Sequence, residues 1–280
     1  MKEKIMLDKF INFVKQAGQY SLEVRNNNHN INFKDKDASI SSMVTEVDIR
    51  NSSAFKEFIE QNFSDLNYII IEEESMSDMQ DDLFAKVAQS EYQFIFDPID
   101  GTINYSVGLP FYGILAAVFK NGKPLYGIVY APVLDELVYT DGKEIFYEHN
   151  GQKQTVSPFS QSKSCVIQGN IRSIKLNPAH FNKRFLIEDY FAAAICYLYL
   201  PLGNLKAVIG GGKIWDVAPM MAFAKVLGMK FLDYYTAEEV TELSPRFFKN
   251  DGDIKTLNII CFPEEYEEIK SVILSLDEQK

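Results

Sequence analysis

The chain has 280 residues, 46% of them hydrophobic, which excludes a disordered chain and is enough for one large domain or two closely packed lobes. Its 28 basic and 39 acidic residues give a net charge of -11 and a pI near 4.9. A nucleic-acid polymer requires a basic surface, so we do not expect one as a partner. A membrane-spanning helix requires roughly 18–20 consecutive apolar residues, and no apolar run in the sequence approaches that length, so we do not expect a membrane partner either.

The N-terminal segment places Ile5, Phe10 and Phe13 at helical spacing among charged residues, which predicts an amphipathic helix rather than a signal peptide. The three cysteines form no paired motif, so a reducing cytoplasm is the expected compartment. The polar residues 25–42 are typical of an exposed loop or a mobile hairpin.

Two acidic motifs flank predicted elements in the first third of the chain. Thr45 and Asp48 precede a helical pattern at residues 49–63, and either side chain is a candidate N-cap. The apolar run at residues 68–71 predicts a short buried strand, followed directly by the three glutamates at 72–74. An acidic run is usually a solvated surface, but the end of a buried strand is where ligands gather in α/β sheets.

Residues 94–105 read Phe-Ile-Phe-Asp-Pro-Ile-Asp-Gly-Thr-Ile-Asn-Tyr, a buried strand pattern that runs into two carboxylates. We expect the strand to end at the proline and to direct Asp97 and Asp100 toward one point, where Mg²⁺ finds the one or two carboxylates that it prefers. Gly101 would let backbone N–H groups approach an anion, and the Thr102 hydroxyl would orient a water. An ordinary turn is the alternative, because Asp, Pro and Gly dominate turns.

Residues 111–139 predict a strand meander, with a hairpin at the Asn-Gly pair of residues 121–122. A soft boundary at residue 150 would separate an α+β lobe, residues 1–150, from an α/β lobe, residues 151–280.

The second half of the chain contains one further acidic motif. Asp216 follows three consecutive glycines and precedes a helical pattern at residues 217–227. Taken alone, Asp216 is more simply a helix cap than a ligand.

Four motifs, taken in order, resemble those of one family. They are Thr45-x-x-Asp48, Glu73-Glu74-Ser75, Asp97-Pro98-Ile99-Asp100-Gly101-Thr102-x-Asn104-Tyr105 and Trp215-Asp216-x-Ala218. The set resembles the inositol monophosphatase family of magnesium-dependent, lithium-sensitive phosphatases, and the similarity runs from about residue 45 to residue 227. The resemblance implies the layered sugar-phosphatase fold, in which helix and sheet layers alternate, and a homodimer.

The resemblance also implies roles for individual residues. The implied metal ligands are the side chains of Glu73, Asp97, Asp100 and Asp216 and the carbonyl of Ile99. The residues implied to orient and deprotonate the attacking water are Asp48, Thr102 and Glu74, and those implied to bind phosphate through backbone N–H groups are Gly101 and Thr102. Two or three Mg²⁺ ions are implied, and a pair about 4 Å apart can clamp the attacking and leaving oxygens of an in-line displacement.

Three departures from the family pattern bear on the substrate. Phe191 replaces a small residue, and glycines 210–212 stand where inositol-preferring members often place a glutamate. Pro219 follows the Trp-Asp-x-Ala motif, and we expect it in the first turn of the helix, where proline is sterically acceptable. The resemblance implies hydrolysis of a small phosphate monoester by metal-activated water. The departures leave inositol phosphate, fructose bisphosphate and a 3'(2'),5'-bisphosphate nucleotide all open as substrates. A non-catalytic protein that binds a phosphorylated ligand is the alternative from a different class.

The family region that corresponds to residues 25–42 forms a mobile loop over the metals. By that resemblance Lys36 is expected to lie near the site.

Overall fold

The computed structural model describes residues 2–26, 31–33, 43–79, 81–157, 163–169 and 184–273. The helices are α1 (Lys2–Asn26), α2 (Glu46–Phe63), α3 (Leu83–Gln89), α4 (Thr102–Ser106), α5 (Ala193–Tyr199), α6 (Ile214–Leu227) and α7 (Tyr266–Lys270), with 3-10 helices at Glu73–Asp78 and Pro263–Glu265. The strands are β1 (Ile31–Phe33), β2 (Met43–Thr45), β3 (Tyr68–Glu72), β4 (Tyr92–Asp100), β5 (Gly113–Lys120), β6 (Lys123–Ala131), β7 (Glu136–Thr140), β8 (Ile145–His149), β9 (Gln152–Thr155), β10 (Val166–Gly169), β11 (Leu186–Glu188), β12 (Ala207–Gly210), β13 (Lys230–Asp233) and β14 (Asn258–Cys261).

The larger sheet contains β3 to β9 in chain order. Only β3 and β4 run parallel, and every later pair is antiparallel. The predicted hairpin is confirmed: Asn121 and Gly122 both adopt positive φ, 52° and 75°, between the paired residues Lys120 and Lys123. A two-residue turn in which both residues have positive φ matches the right-handed twist of the two strands that it joins.

One face of the larger sheet is covered by α1 and α2. Their apolar faces meet β4 through aromatic side chains: the rings of Phe55 and Phe96 are stacked with centroids 4.4 Å apart, and those of Phe10 and Phe94 lie 5.5 Å apart. Every residue of β4 is buried, because helices cover both faces of this part of the sheet. This packing fixes the start of α2, and with it Asp48, beside the end of β4.

The smaller sheet has the strand order β11-β10-β12-β14-β13. Helices α5 and α6 lie between the two sheets, where one apolar cluster includes Val129 of the larger sheet, Phe223 of α6 and Ile260 of the smaller sheet. Helix α7 covers the outer face of the smaller sheet through Tyr266 and Ile269. Helix and sheet layers therefore alternate, as predicted, while the boundary at residue 150 stays a prediction. No helix in the described part of the chain is long and apolar enough to cross a membrane.

Two prolines lie differently from the sequence expectation. Strand β4 does not end at Pro98 but continues to Asp100, with a shift in its register against β5 between Asp97 and Asp100. Helix α6 begins at Ile214, so Pro219 lies inside the helix, beyond its first turn. Both expectations were wrong. The bulge lets β4 continue past Pro98, and α6 contains Pro219 at the cost of one intrahelical hydrogen bond.

Candidate active site

Three carboxylates from two distant parts of the chain meet at one edge of the larger sheet. Asp97 and Asp100 belong to the end of β4, and Asp216 lies in the first turn of α6. One oxygen from each carboxylate lies within 4.8 Å of an oxygen from each of the others. Asp97 and Asp100 are only 2% and 8% exposed, so water solvates these carboxylates poorly.

The register shift in β4 explains how Asp97 and Asp100 face one point. Side chains three residues apart on a regular strand project to opposite faces of the sheet. In β4, Asp97 pairs with Leu115 and Asp100 pairs with Gly113, so the strand has one more residue than β5 between these pairs. The extra residue turns Asp100 to the same side as Asp97.

Helix α6 brings the third carboxylate into the cluster. The backbone N–H of Lys213 donates a hydrogen bond of 2.7 Å to Asp216 Oδ2 and caps the helix. A Cβ atom on Gly212 would lie 2.9 Å from the same oxygen. The last glycine of residues 210–212 thus has a structural reason, since a larger residue would press on the Asp216 carboxylate.

The cluster carries more negative charge than its surroundings compensate. Burial raises the pKa of Asp97 well above its ordinary value, and the charges of Glu73, Asp100 and Asp216 raise it further. Burial, followed by repulsion from Asp216, raises the pKa of Asp100 to about 8. Among the described residues, no lysine or arginine forms an ion pair with Asp97, Asp100 or Asp216. Buried oxygen donors of this kind fit a hard divalent cation such as Mg²⁺.

We expect metal-free protein to become less stable as the pH rises. Asp48 and Asp100 have pKa values of about 7 and about 8 in the folded chain, against 3.8 ordinarily. In their protonated form these two groups therefore favour the folded state fully below about pH 4. That stabilisation is lost as the pH rises through their pKa values in the folded chain. Thermal unfolding in EDTA should show a lower Tm at about pH 8 than at about pH 6, and Mg²⁺ should restore it at pH 8. A Tm that rises over this interval and ignores Mg²⁺ would contradict the assignment.

Glu73 begins the 3-10 helix that directly follows β3. Because β3 and β4 are parallel neighbours, their carboxyl ends lie at the same edge of the sheet. The charge of Glu73 contributes to the raised pKa values of Asp97 and Asp48, which places Glu73 within electrostatic range of both.

Glu72 had no predicted role, but it anchors the turn that carries Glu73. The Ser52 hydroxyl donates a hydrogen bond to it, Lys56 Nζ lies 2.9 Å away, and the backbone N–H of Glu74 donates at 2.9 Å. Burial raises the pKa of Glu72, but the hydrogen bonds, first that from Ser52, outweigh burial and hold the pKa below its ordinary value. The sequence alone could not distinguish the role of Glu72 from those of Glu73 and Glu74. The distinction depends on where β3 ends, which is at Glu72.

Asp48 and Thr102 form a side-chain pair next to the carboxylate cluster. Thr102 Oγ1 lies 3.4 Å from Asp48 Oδ1 and 2.9 Å from the Ile99 carbonyl, which it can reach as a donor. The other Asp48 oxygen, Oδ2, accepts a hydrogen bond of 2.7 Å from the Thr45 N–H and completes the capping box of α2. One carboxylate thus caps a helix and faces the site.

The pKa of Asp48 suits proton transfer. Burial raises it to about 7, against hydrogen bonds from Thr45 that lower it, and the charges of Glu73 and Glu74 add to the rise. A carboxylate with a pKa near neutrality can both accept and release a proton.

Gly101 joins β4 to α4 in the left-handed region, with φ 86°. A Cβ atom there would approach Ala192 Cβ to 2.9 Å and the Phe111 carbonyl to 3.0 Å, so only glycine fits. This conformation can direct successive N–H groups toward one anion. The phosphate-binding roles of Gly101 and Thr102 stay predictions.

A second group of contacts joins this loop to the start of α5. Asp100 Oδ2 accepts a hydrogen bond of 2.5 Å from the Ala194 N–H. The Asn104 side-chain amide donates to the carbonyls of Phe111 and Tyr190, at 2.6 and 2.7 Å. Asn104 belongs to the quoted motif, but the sequence indicated no role for it.

Phe191, one of the family departures, adopts a positive φ of 53° that a residue with a side chain rarely takes. Its N–H donates a hydrogen bond of 2.9 Å to Asp189 Oδ1, which holds this turn. Its side chain is 43% exposed at the edge of the site. Lys36, by contrast, lies outside the described residues. Of the surrounding residues 25–42, Ile31–Phe33 pairs antiparallel with Met43–Thr45.

Comparisons with known proteins agree with this geometry. The model of the inositol monophosphatase family matches residues 6–262. The chain belongs to the inositol monophosphatase family. A fructose-1,6-bisphosphatase/inositol-1-monophosphatase from Thermotoga maritima is 28% identical over 242 residues, which are 84% of this chain and 88% of the relative. A Nus factor SuhB from Pasteurella multocida is 26% identical over 250 residues, 82% and 87% of the two chains.

A solved structure of an inositol monophosphatase/NADP phosphatase in complex with Mg²⁺ and phosphate has the same fold, with a TM-score of 0.76. It is 20% identical, and the match covers 97% of this chain and 96% of that one. The predicted family, fold class and enzyme class, a phosphoric monoester hydrolase, are thereby confirmed. The roles of individual residues stay predictions.

Proposed function

We propose that this inositol monophosphatase family member hydrolyses a small phosphate monoester, with Mg²⁺ held by Asp97, Asp100 and Asp216. The convergence of these three buried or partly buried carboxylates within 4.8 Å supports the proposal most directly. Glu73 and the Ile99 carbonyl are proposed as further ligands. When bound, Mg²⁺ would supply charge stabilisation to the phosphate and activate the attacking water.

The other residues of the site have proposed roles that follow from their hydrogen bonds. Thr102 would orient the water, and Asp48 would accept its proton, since the two side chains lie within 3.4 Å of each other. Glu74 would assist Asp48 through its charge. The N–H groups of Gly101 and Thr102 would bind the phosphate oxygens.

The proposal is tested by Mg²⁺-dependent phosphate release from a generic monoester, by wild type, by Asp216→Ala and by a matched control, Asp65→Ala. Asp65 is exposed in the turn after α2. Wild type and the control should release phosphate at similar rates, and Asp216→Ala should be slower by orders of magnitude. The same assay on inositol 1-phosphate, fructose 1,6-bisphosphate and a 3',5'-bisphosphate nucleotide ranks the open substrates.

The alternative of a non-catalytic protein that only binds a phosphorylated ligand predicts a different result in this assay. In that case neither wild type nor Asp216→Ala would release phosphate from any of these substrates.

We also propose that the protein is cytoplasmic and that lithium inhibits it.

We further propose that the protein is a homodimer. Large apolar side chains are exposed beside the site: Val107 at 64%, Leu109 at 45%, Phe111 at 38% and Phe191 at 43%. The Phe111 ring lies 6.0 Å from the ring of Tyr190, so this apolar surface continues from one segment to the other. A surface of this kind marks an interaction site, and a second copy of the chain would cover it.

Light scattering should give a mass twice the 32.0 kDa of one chain. Leu109→Glu should reduce the mass to that of a monomer, whereas a wild type that is already a monomer would contradict the proposed homodimer.

A further inference from the structure

Glu72 is a buried carboxylate that lies outside the carboxylate cluster. It is the last residue of β3 and is fully buried. Alternate residues of a strand share one face of the sheet, so Glu72 lies on the same face as Ile70, which packs against the apolar cluster beneath α1 and α2. A charge is costly in such a place, and apolar side chains of similar volume often replace a buried ion pair without loss of stability. Stability alone therefore gives no reason for a glutamate at this position.

The contacts of the Glu72 carboxylate join α2 to the turn that follows β3. Its Oε2 accepts hydrogen bonds from the Ser52 hydroxyl of α2 and from the Glu74 backbone N–H, the latter at 2.9 Å. The bond from Glu74 caps the 3-10 helix of residues 73–78. Lys56 Nζ, one turn of α2 beyond Ser52, lies 2.9 Å from the other oxygen, Oε1. One side chain thus ties the start of this short helix to a long one.

The cap of the 3-10 helix is the contact of Glu72 that no other group replaces. The Lys56 side chain is 46% exposed, so water can solvate its ammonium group when the carboxylate is removed. The Ser52 hydroxyl can then donate to the carbonyl one turn earlier in α2, as helical serines commonly do. The Glu74 N–H, by contrast, loses its acceptor, and the start of the 3-10 helix loses its attachment to α2.

The turn that Glu72 anchors carries Glu73, which is one of the proposed metal ligands. Glu72 pairs with Phe96 in the parallel ladder of β3 and β4. The next residue of β4 is Asp97, so the turn begins beside this carboxylate. The charge of Glu73 raises the pKa values of Asp97 and Asp48, and Asp48 belongs to the same helix α2 that holds Glu72. A displacement of the turn would therefore move Glu73 relative to both of these carboxylates.

We propose that Glu72 is a positioning residue, which sets the affinity of the site for Mg²⁺ by fixing the turn that carries Glu73 against α2. The proposal rests on the proposed phosphatase function, in which Glu73 is a metal ligand. Glu72 is fully buried, so it acts through the turn and not by contact with a metal or a substrate. Replacing a residue that orients a metal ligand typically lowers metal affinity about 10- to 100-fold.

Calorimetric titration with Mn²⁺ measures this effect without turnover. The double variant Glu72→Leu/Lys56→Met removes both charges of the ion pair, so it should bind Mn²⁺ about 10- to 100-fold more weakly and keep a Tm in EDTA near that of wild type. Glu72→Gln keeps an acceptor for the Glu74 N–H and should retain most of the affinity. In the phosphatase assay, the double variant should need more Mg²⁺ for half-maximal rate, with kcat at saturating Mg²⁺ changed little.

Glu265→Leu/Lys206→Met is a matched control at a second buried ion pair. The Glu265 side chain is 3% exposed, and its Oε1 lies 2.6 Å from Lys206 Nζ. Glu265 lies next to α7, which covers the outer face of the smaller sheet. Removing this pair should leave Mn²⁺ binding unchanged.

The outcomes separate this proposal from the phosphatase function. Unchanged Mn²⁺ binding by the Glu72 double variant would overturn the role of Glu72 and leave the metal site standing. Weaker binding that is accompanied by a large loss of Tm, or that is equally severe in Glu72→Gln, would also overturn it, since the first result is structural and the second ignores the retained acceptor. If wild type binds no Mn²⁺, both this proposal and the proposed metal site are wrong.

Discussion

Asp97→Asn should lower Mg²⁺-dependent phosphate release about a thousandfold, while metal-free protein of this variant should melt at a higher temperature than wild type at about pH 8. The loss corresponds to about 4 kcal/mol of transition-state stabilisation, the several kcal/mol that a metal supplies. The gain in stability arises because Asp97 is buried among the charges of Glu73, Asp100 and Asp216. Asparagine keeps an acceptor for the Ile99 N–H, which donates to Asp97 Oδ1 at 3.0 Å.

The opposite signs of the two effects separate a functional from a structural role. Residues that are placed for function rather than for stability commonly destabilise a fold. Asp65→Asn, a neutralisation of the same kind at an exposed position, should change neither activity nor Tm appreciably. If Asp97→Asn turns over at a near-normal rate, or melts well below wild type in EDTA, Asp97 does not hold a metal as proposed.

Asp48→Asn should lower kcat by about a hundredfold or more, with the apparent affinity for Mg²⁺ changed little. General-base catalysis contributes about 10²- to 10⁴-fold, and asparagine cannot accept the proton. The variant should still fold, because the Asn side-chain oxygen can accept the capping hydrogen bond from the Thr45 N–H. Steady-state kinetics across a range of Mg²⁺ concentrations measures both quantities.

Two comparisons define the result at Asp48. Glu46→Gln neutralises an exposed carboxylate in the same helix turn and should leave kcat unchanged. Thr102→Ser keeps the hydroxyl beside Asp48 and should retain activity, whereas Thr102→Ala should lose it. A full kcat in Asp48→Asn would remove the proton-acceptor role, and a loss explained entirely by weaker Mg²⁺ binding would reassign Asp48 as a metal ligand.

Much of the fold and of the carboxylate cluster could be predicted from local signals. Strand β4 is a buried apolar run that ends in Asp97 and Asp100, and such patterns depend on sequence neighbours alone. For Asp48 and Asp216 the sequence left a choice between helix cap and functional carboxylate. In the structure each of them caps its helix, while Asp216 also lies in the carboxylate cluster and Asp48 also lies beside Thr102. Their functional roles stay predictions.

The remaining parts of the site depend on long-range contacts that no local pattern reveals. Asn104 gains a partner in the Tyr190 carbonyl, and Glu72 gains its partners from α2. Phe191 departs from the small residue of the family, but the Asp189 side chain supports its left-handed backbone and leaves its ring partly exposed. This hydrogen bond is local, because Asp189 precedes Phe191 by two residues, but no sequence pattern predicted the positive φ that it supports.

The most direct test of the metal site is anomalous diffraction from crystals soaked in Mn²⁺, which replaces Mg²⁺ at oxygen-ligand sites. We predict at least one strong anomalous peak bounded by the carboxylates of Asp97, Asp100 and Asp216, within about 2.0–2.3 Å of their oxygens. Crystals that contain Mn²⁺ elsewhere, with no peak among these three residues, would contradict the account.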